Sequence, residues 1–112
     1  MIILETPVFT RQVLSSESDE EYRELQLALV ANPELGPLVP GGGGLRKVRW
    51  RAEGPGKRGG YRVIYYWAVD PQIIVMLYMY AKNQMADLTP EQTRLLRRAV
   101  EQEFGRHRAN WD

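Results

Sequence analysis

The sequence contains no cysteine. That excludes a disulfide framework, a thiolate metal site and a cysteine nucleophile, and it fits a reducing compartment. There is one histidine, His107. A histidine-rich metal cluster is therefore excluded, and a Ser-His-Asp triad would have a single candidate. Neither a metal nor a cofactor is expected. Long apolar runs are missing too. The longest, Ile73 to Tyr80, falls far short of the roughly 20 residues a membrane helix needs. The opening Met1-Ile-Ile-Leu-Glu5 has no basic n-region and no long apolar stretch, so no secretory signal is expected. A cytoplasmic protein with no membrane partner is the expectation. Net charge is also scarce. Fifteen Lys+Arg against fourteen Asp+Glu leave +1, a total that gives no reason to expect nucleic acid.

What is present reads as one domain over residues 1–112, with 44% hydrophobic and 26% charged residues, ordinary for a globular chain. Ile2-Ile-Leu4 is a short β-prone start. Thr6-Pro7 is a helix cap followed by proline at the first helical position, predicting a short helix over 7–13. Ser18 with Glu21 three residues later has the form of a capping box. The helix after it carries Tyr22, Leu25 and Leu29 on one face. Residues 33–44 hold three prolines and five glycines and read as a loop. Strands are predicted over 45–50, 61–68 and 73–80, with a glycine-rich connection over 53–60. The last two are apolar enough to be central. Thr89-Pro90-Glu91-Gln92 starts a final helix presenting Leu95, Leu96, Ala99, Val100 and Phe104 inward and ending near Gly105. The order β-α-α-β-β-β-α predicts an α+β domain, its two N-terminal helices and its C-terminal helix packed on one face of an antiparallel sheet.

The small net charge hides a strong segregation. Residues 1–43 hold two basic and seven acidic side chains; residues 67–112 hold six of each. Between them, residues 44–66 hold seven basic side chains (Arg46, Lys47, Arg49, Arg51, Lys57, Arg58, Arg62) and one acidic, Glu53. Alternate residues of a strand share a face, so Lys47, Arg49 and Arg51 lie together, opposite Val48 and Trp50. Arg62 alternates with Val63 on the next strand. Lys57 and Arg58, in the glycine-flanked connection, can reach the same surface. Like charges across a sheet repel, so this clustering points to an anionic partner. A phosphate backbone fits, with Tyr61, Tyr65 and Tyr66 near enough to stack on bases. An acidic protein would satisfy the patch equally well. A phosphate-binding P-loop is excluded: Gly56-Lys57 is followed by arginine, and position 51 is arginine where the first glycine belongs.

Four motifs, Gly44-Leu-Arg-Lys-Val-Arg49, Gly56-Lys-Arg-Gly-Gly-Tyr-Arg-Val-Ile-Tyr-Tyr66, Leu77-Tyr-Met-Tyr-Ala-Lys-Asn83 and Asp87-Leu-Thr-Pro90, resemble the RelE/ParE toxin superfamily, and most of all its HigB-like RelE branch. The resemblance implies a small α+β ribonuclease fold and the toxin role of a type II toxin–antitoxin system. It implies a cognate antitoxin, of helix-turn-helix type, as partner, and cleavage of mRNA on the ribosome. By position it assigns catalytic roles to Lys47, Arg49, Arg62 and Lys82. Asn83 stands where some relatives carry an arginine. His107 is comparable with the C-terminal histidine of some relatives, but no matching motif surrounds it.

Cleavage without a metal requires the ribose 2′-OH to attack the adjacent phosphorus, with a 5′-oxygen leaving. Three tasks follow: taking the 2′-OH proton, stabilising charge on the phosphate and protonating the leaving oxygen. A lysine among cations is made a better base by repulsion, which nominates Lys47. Arg62 suits the phosphate, with Arg49 as a second clamp that also serves the leaving group. Arg46, Arg51, Lys57, Arg58, Tyr61 and Tyr80 are candidates for contacting RNA, Tyr80 by stacking on a base. Two other readings remain open at this point. One is a ParE-like inhibitor of DNA gyrase; the other is a non-enzymatic module that binds RNA or its antitoxin.

Overall fold

The apolar runs in the second half of the chain become the middle of a sheet. A computed structural model describes residues 1–16, 18–50, 60–70 and 72–105. These residues form β1 (Ile2–Glu5), α1 (Pro7–Ser16), α2 (Asp19–Ala31), β2 (Leu45–Trp50), β3 (Tyr61–Ala68), β4 (Ile73–Ala81) and α3 (Pro90–Val100), followed by a π-helical segment, Glu101–Gly105. The α+β class and the element order agree with the sequence reading. The strands lie in the order β1-β4-β3-β2, so β3 and β4 are central as their composition implied.

Two expectations need correction. The three consecutive strands form the antiparallel meander, but β1 joins β4 in parallel, Ile2 opposite Ile73 and Glu5 opposite Met76. The sheet is therefore mixed. A hairpin dictates direction, whereas a strand separated from its neighbour by helices is free to run parallel. The helices also do not share one face. Phe9 and Val13 of α1 and Tyr22, Leu25 and Leu29 of α2 pack on Val48, Val63, Tyr65, Ile74 and Met76. Val100 and Leu96 of α3, with Phe104, pack on the other face against Leu45, Ile64, Tyr66 and Val75. Strands buried on both sides read as unbroken apolar runs, and Val63–Tyr66 and Ile74–Leu77 are such runs, buried throughout. Within α3 the inward face is narrower than expected: Leu95 is exposed and Ala99 is exposed as well.

Local chemistry sets the element ends. Thr89 caps α3 as a full capping box with Gln92, with Pro90 behind it. Thr6 caps α1, its hydroxyl oxygen accepting from the Phe9 N–H at 3.1 Å. At Ser18 the box does not form; the Ser18 hydroxyl donates to the Ser16 carbonyl instead, at 3.1 Å. The loop 33–44 is clamped to β2 and β3. The buried Tyr65 hydroxyl donates to the Pro33 carbonyl (2.8 Å) and accepts from the Gly36 N–H (2.9 Å). Gly36 must be glycine, because a Cβ there would stand 2.6 Å from the Lys47 carbonyl oxygen. At the start of β2, Gly44 has φ +108°, a region side chains disfavour.

β4 carries two irregularities. Ile64 faces Tyr78 but Tyr65 faces Met76, so Leu77 is an extra residue in the ladder. Beyond Met76, β4 has outrun β1. There Thr6 donates from its hydroxyl to the Leu77 carbonyl (2.7 Å). The Gln12 carboxamide then both donates to the Met79 carbonyl (2.8 Å) and accepts from the Met79 N–H (2.9 Å).

Candidate active site

The strand register brings the central cations into one row. Arg49 of β2 lies directly opposite Arg62 of β3, and Arg62 directly opposite Tyr80 of β4. Neighbouring strands are about 4.8 Å apart, so three polar side chains line up across three strands. Lys47, two residues before Arg49, shares that face. This is the α3 side of the sheet, at the edge of the apolar cluster that α3 covers and that includes Tyr80. Alternation alone would not have placed Tyr80 here. Ile73, Val75 and Leu77 face α3, which would put residue 79 on that side and residue 80 on the other. The extra residue at Leu77 reverses the parity, since a one-residue shift exchanges faces. Met79 then joins the α1/α2 core, and Tyr80 joins Arg62.

The electrostatics of the row are unbalanced in a useful way. Two guanidiniums directly opposite one another repel. Arg49 is exposed, whereas Arg62 is half-buried and its Nη1 has no hydrogen-bond partner among the described residues, as is also true of the Trp50 and Trp67 indole nitrogens. A buried donor without an acceptor costs about 1–3 kcal/mol. An anion between the two arginines relieves both penalties.

Next to the row is a carboxylate, Asp87, which sequence reasoning quoted in a motif but gave no role. Its Oδ1 accepts from the Lys47 ammonium at 3.2 Å, from the Tyr80 hydroxyl at 3.4 Å and from the Leu88 N–H at 2.8 Å. The Leu88 bond, assisted by Lys47, holds the Asp87 carboxyl below its ordinary range against a smaller opposing effect of burial. Lys47 is thus not a lysine among cations alone, the premise on which it was nominated as a base. The Tyr80 ring is only 6% exposed, so it does not offer a face to a base. Burial first, then the Asp87 charge and hydrogen bond, push its phenol up to about 12. At neutral pH it is a donor. From Asp87 a cleft of about 350 Å³ runs between Val39-Pro40-Gly41 and the first turns of α3 at Pro90, Thr93 and Arg94.

The other nominated residues fall elsewhere. Arg46 projects to the opposite face, beside Tyr65 in register, and its Nη1 donates to the Gly36 carbonyl at 2.9 Å, tying the loop to β2. Tyr61 is also on the opposite face, against Trp50 with ring centroids 5.4 Å apart. Tyr65 and Tyr66 are buried and cannot stack on bases. Lys82 stands exposed in the turn after β4, its N–H donating to the Gly60 carbonyl at 3.4 Å. Arg51, Lys57, Arg58 and His107, with most of the connection expected over 53–60, lie outside the described residues.

A small mixed sheet with helices on both faces, carrying a basic row on one of them, defines a compact α+β protein. Residues 37–110, well over half the chain, match the family described as the RelE toxin of the RelE/RelB toxin–antitoxin system. The chain belongs to the RelE toxin family, within the RelE/ParE superfamily of type II systems. Its role is therefore that of a toxin, and a cognate antitoxin is its partner. Among the described residues, no helix is long and apolar enough to cross a membrane.

Proposed function

We propose that this toxin is an endoribonuclease of the HigB-like kind, which cuts mRNA on the ribosome in the cytoplasm and is held inactive by an antitoxin of helix-turn-helix type. The observation that carries the reading is the Arg49–Arg62 pair, two arginines directly opposite one another in register across β2 and β3 with a buried donor of Arg62 unmatched among the described residues. A phosphodiester supplies the missing acceptors. Arg62, a planar fork of donors, binds the non-bridging oxygens and stabilises the charge that builds on them during 2′-OH attack. Arg49, exposed at the outer end of the row, holds the phosphate from the other side and serves the leaving 5′-oxygen. Lys47 is assigned to the attacking 2′-oxygen. It takes the 2′-OH proton as the general base. Lys82, in the turn beyond Tyr80, binds the phosphate backbone, and RNA extends along the cleft between residues 39–41 and α3. The site has few proton-transfer groups. This suits an enzyme whose ribosomal partner orients the substrate, since positioning alone supplies about 7–11 kcal/mol in favourable cases.

Primer extension on translated mRNA tests the proposal. Cleavage should appear at the codon entering the ribosomal A site, leaving a 2′,3′-cyclic or 3′-phosphate end and a 5′-OH end, and Arg62→Ala should abolish it. Intact mRNA with the wild-type protein, together with loss of DNA gyrase supercoiling, would instead establish gyrase as the target.

A further inference from the structure

Asp87 has no part in the roles assigned to the row, although among the described residues it has the most convergent hydrogen bonding of any side chain near it. One oxygen, Oδ1, accepts from three donors drawn from separate parts of the chain: Leu88 N–H, Lys47 Nζ and Tyr80 hydroxyl. The Leu88 bond, at 2.8 Å the shortest of the three, is local. It fixes the carboxylate against its own backbone, and the capped start of α3 fixes that backbone. The acceptor is therefore stationary, and the two side chains come to it.

Stability does not explain the arrangement. The Lys47 and Asp87 side chains are 29% and 63% exposed, and ion pairs that exposed contribute little. Geometry does explain it. A lysine has four freely turning bonds and loses much entropy when held in one place. Tyr80 has its ring locked by burial, leaving only the direction of its O–H to be set. Both groups face Arg62, Tyr80 directly in register and Lys47 from β2.

We propose that Asp87 is a positioning residue, whose Oδ1 ties the Lys47 ammonium and the Tyr80 hydroxyl to one fixed point beside Arg62, so that the site is set before RNA arrives. The inference rests on the ribonuclease reading for its effect on rate. The opposite role would be a phosphate mimic that occupies Lys47 and must be displaced by RNA. The two differ in sign. A tether, when removed, lowers kcat; a mimic, when removed, lowers KM.

Two variants and two measurements separate them. Asp87→Asn keeps an acceptor for Leu88 N–H and removes the charge; Asp87→Ala removes both. On ribosomes programmed with a defined mRNA, kcat should fall about tenfold for the asparagine variant and about 10²-fold for the alanine variant, the scale of a small misplacement, with KM changed less than about twofold. Independently of RNA, NMR titration with ring-labelled tyrosine should show the Tyr80 phenol titrating at lower pH in Asp87→Asn, with Tyr22 and Tyr65 unmoved. An unchanged kcat, a lower KM with kcat retained, or an unmoved Tyr80 titration each overturns the proposal. If the wild-type protein cleaves nothing, the ribonuclease reading fails on its own, and the tether is decided by the titration.

Discussion

The two faces of the sheet are made differently. On the α1/α2 face, two helices seal Val48, Trp50, Val63, Tyr65 and Ile74, and the one strand-borne cation there among the described residues, Arg46, is tied down by the Gly36 carbonyl. On the other face a single helix covers the end marked by Leu45, Tyr66 and Val75, Tyr80 lies buried at the edge of that cluster, and the cover thins toward Lys47, Arg49 and Arg62. The same three strands thus serve as core on one side and as charged surface on the other. The comparison teaches that the charge is placed where helical cover thins, with Lys47 alone of the row's cations paired to a carboxylate among the described residues.

Substitutions on the sealed face should therefore cost stability, and those on the open row should cost activity. The largest effect is expected from Phe9→Ala. Phe9 is fully buried, and its loss should lower the unfolding free energy by about 3–5 kcal/mol, read from urea denaturation. Arg62→Ala should do the reverse, lowering the cleavage rate by about 10²–10³-fold with a Tm no lower than wild type, because one of two repelling guanidiniums is gone. A large drop in Tm with that variant would erase the distinction between the faces. Gly36→Ala tests the link between them, since the added methyl meets the Lys47 backbone. A cost of about 1–3 kcal/mol should come with partial loss of activity.

A smaller, pH-dependent effect sharpens the comparison further. The Tyr80 phenol on the open face is raised to about 12, and Tyr22 and Tyr65 on the sealed face are raised as well, burial being the main cause in all three. A raised phenol means that the folded state retains the proton more tightly than the unfolded chain. Its contribution to stability is complete below the ordinary value of 10.0 and is lost as pH climbs from there toward 12 for Tyr80. Wild-type stability should fall between pH 10 and pH 12, and Tyr80→Phe should fall less over the same interval. The least change is expected from Thr89→Ala at the start of α3, about 1 kcal/mol from a lost cap, measured by thermal melting.

Much of this was legible in the chain. The bounds of β2 and β3, the Thr89 cap and the grouping of Lys47 with Arg49 follow from alternation and capping chemistry acting over a few residues. What was not legible depends on distant segments. No local signal says that β1 pairs with β4 rather than lying apart, or that α3 crosses to the opposite face, although the doubly apolar runs of β3 and β4 carry a hint of the second. Charge and proximity group Arg46 and Tyr61 with the row, yet alternation from Lys47 and Arg62 already puts both on the other side. Tyr80 is the converse. It reaches the row only because one residue is inserted at Leu77, and Asp87 reaches Lys47 across forty positions.

Gln12 has a consequence of its own. A strand that outruns its neighbour exposes a comb of peptide groups, an invitation for any other strand, a second copy included. Beyond Met76, β4 would make that offer. Thr6 and the carboxamide of Gln12 have already accepted it, the latter meeting Met79 with one donor and one acceptor as a peptide unit would. A single side chain thus stands in for a residue of a fifth strand. Self-recognition along this border is refused by occupancy rather than by charge.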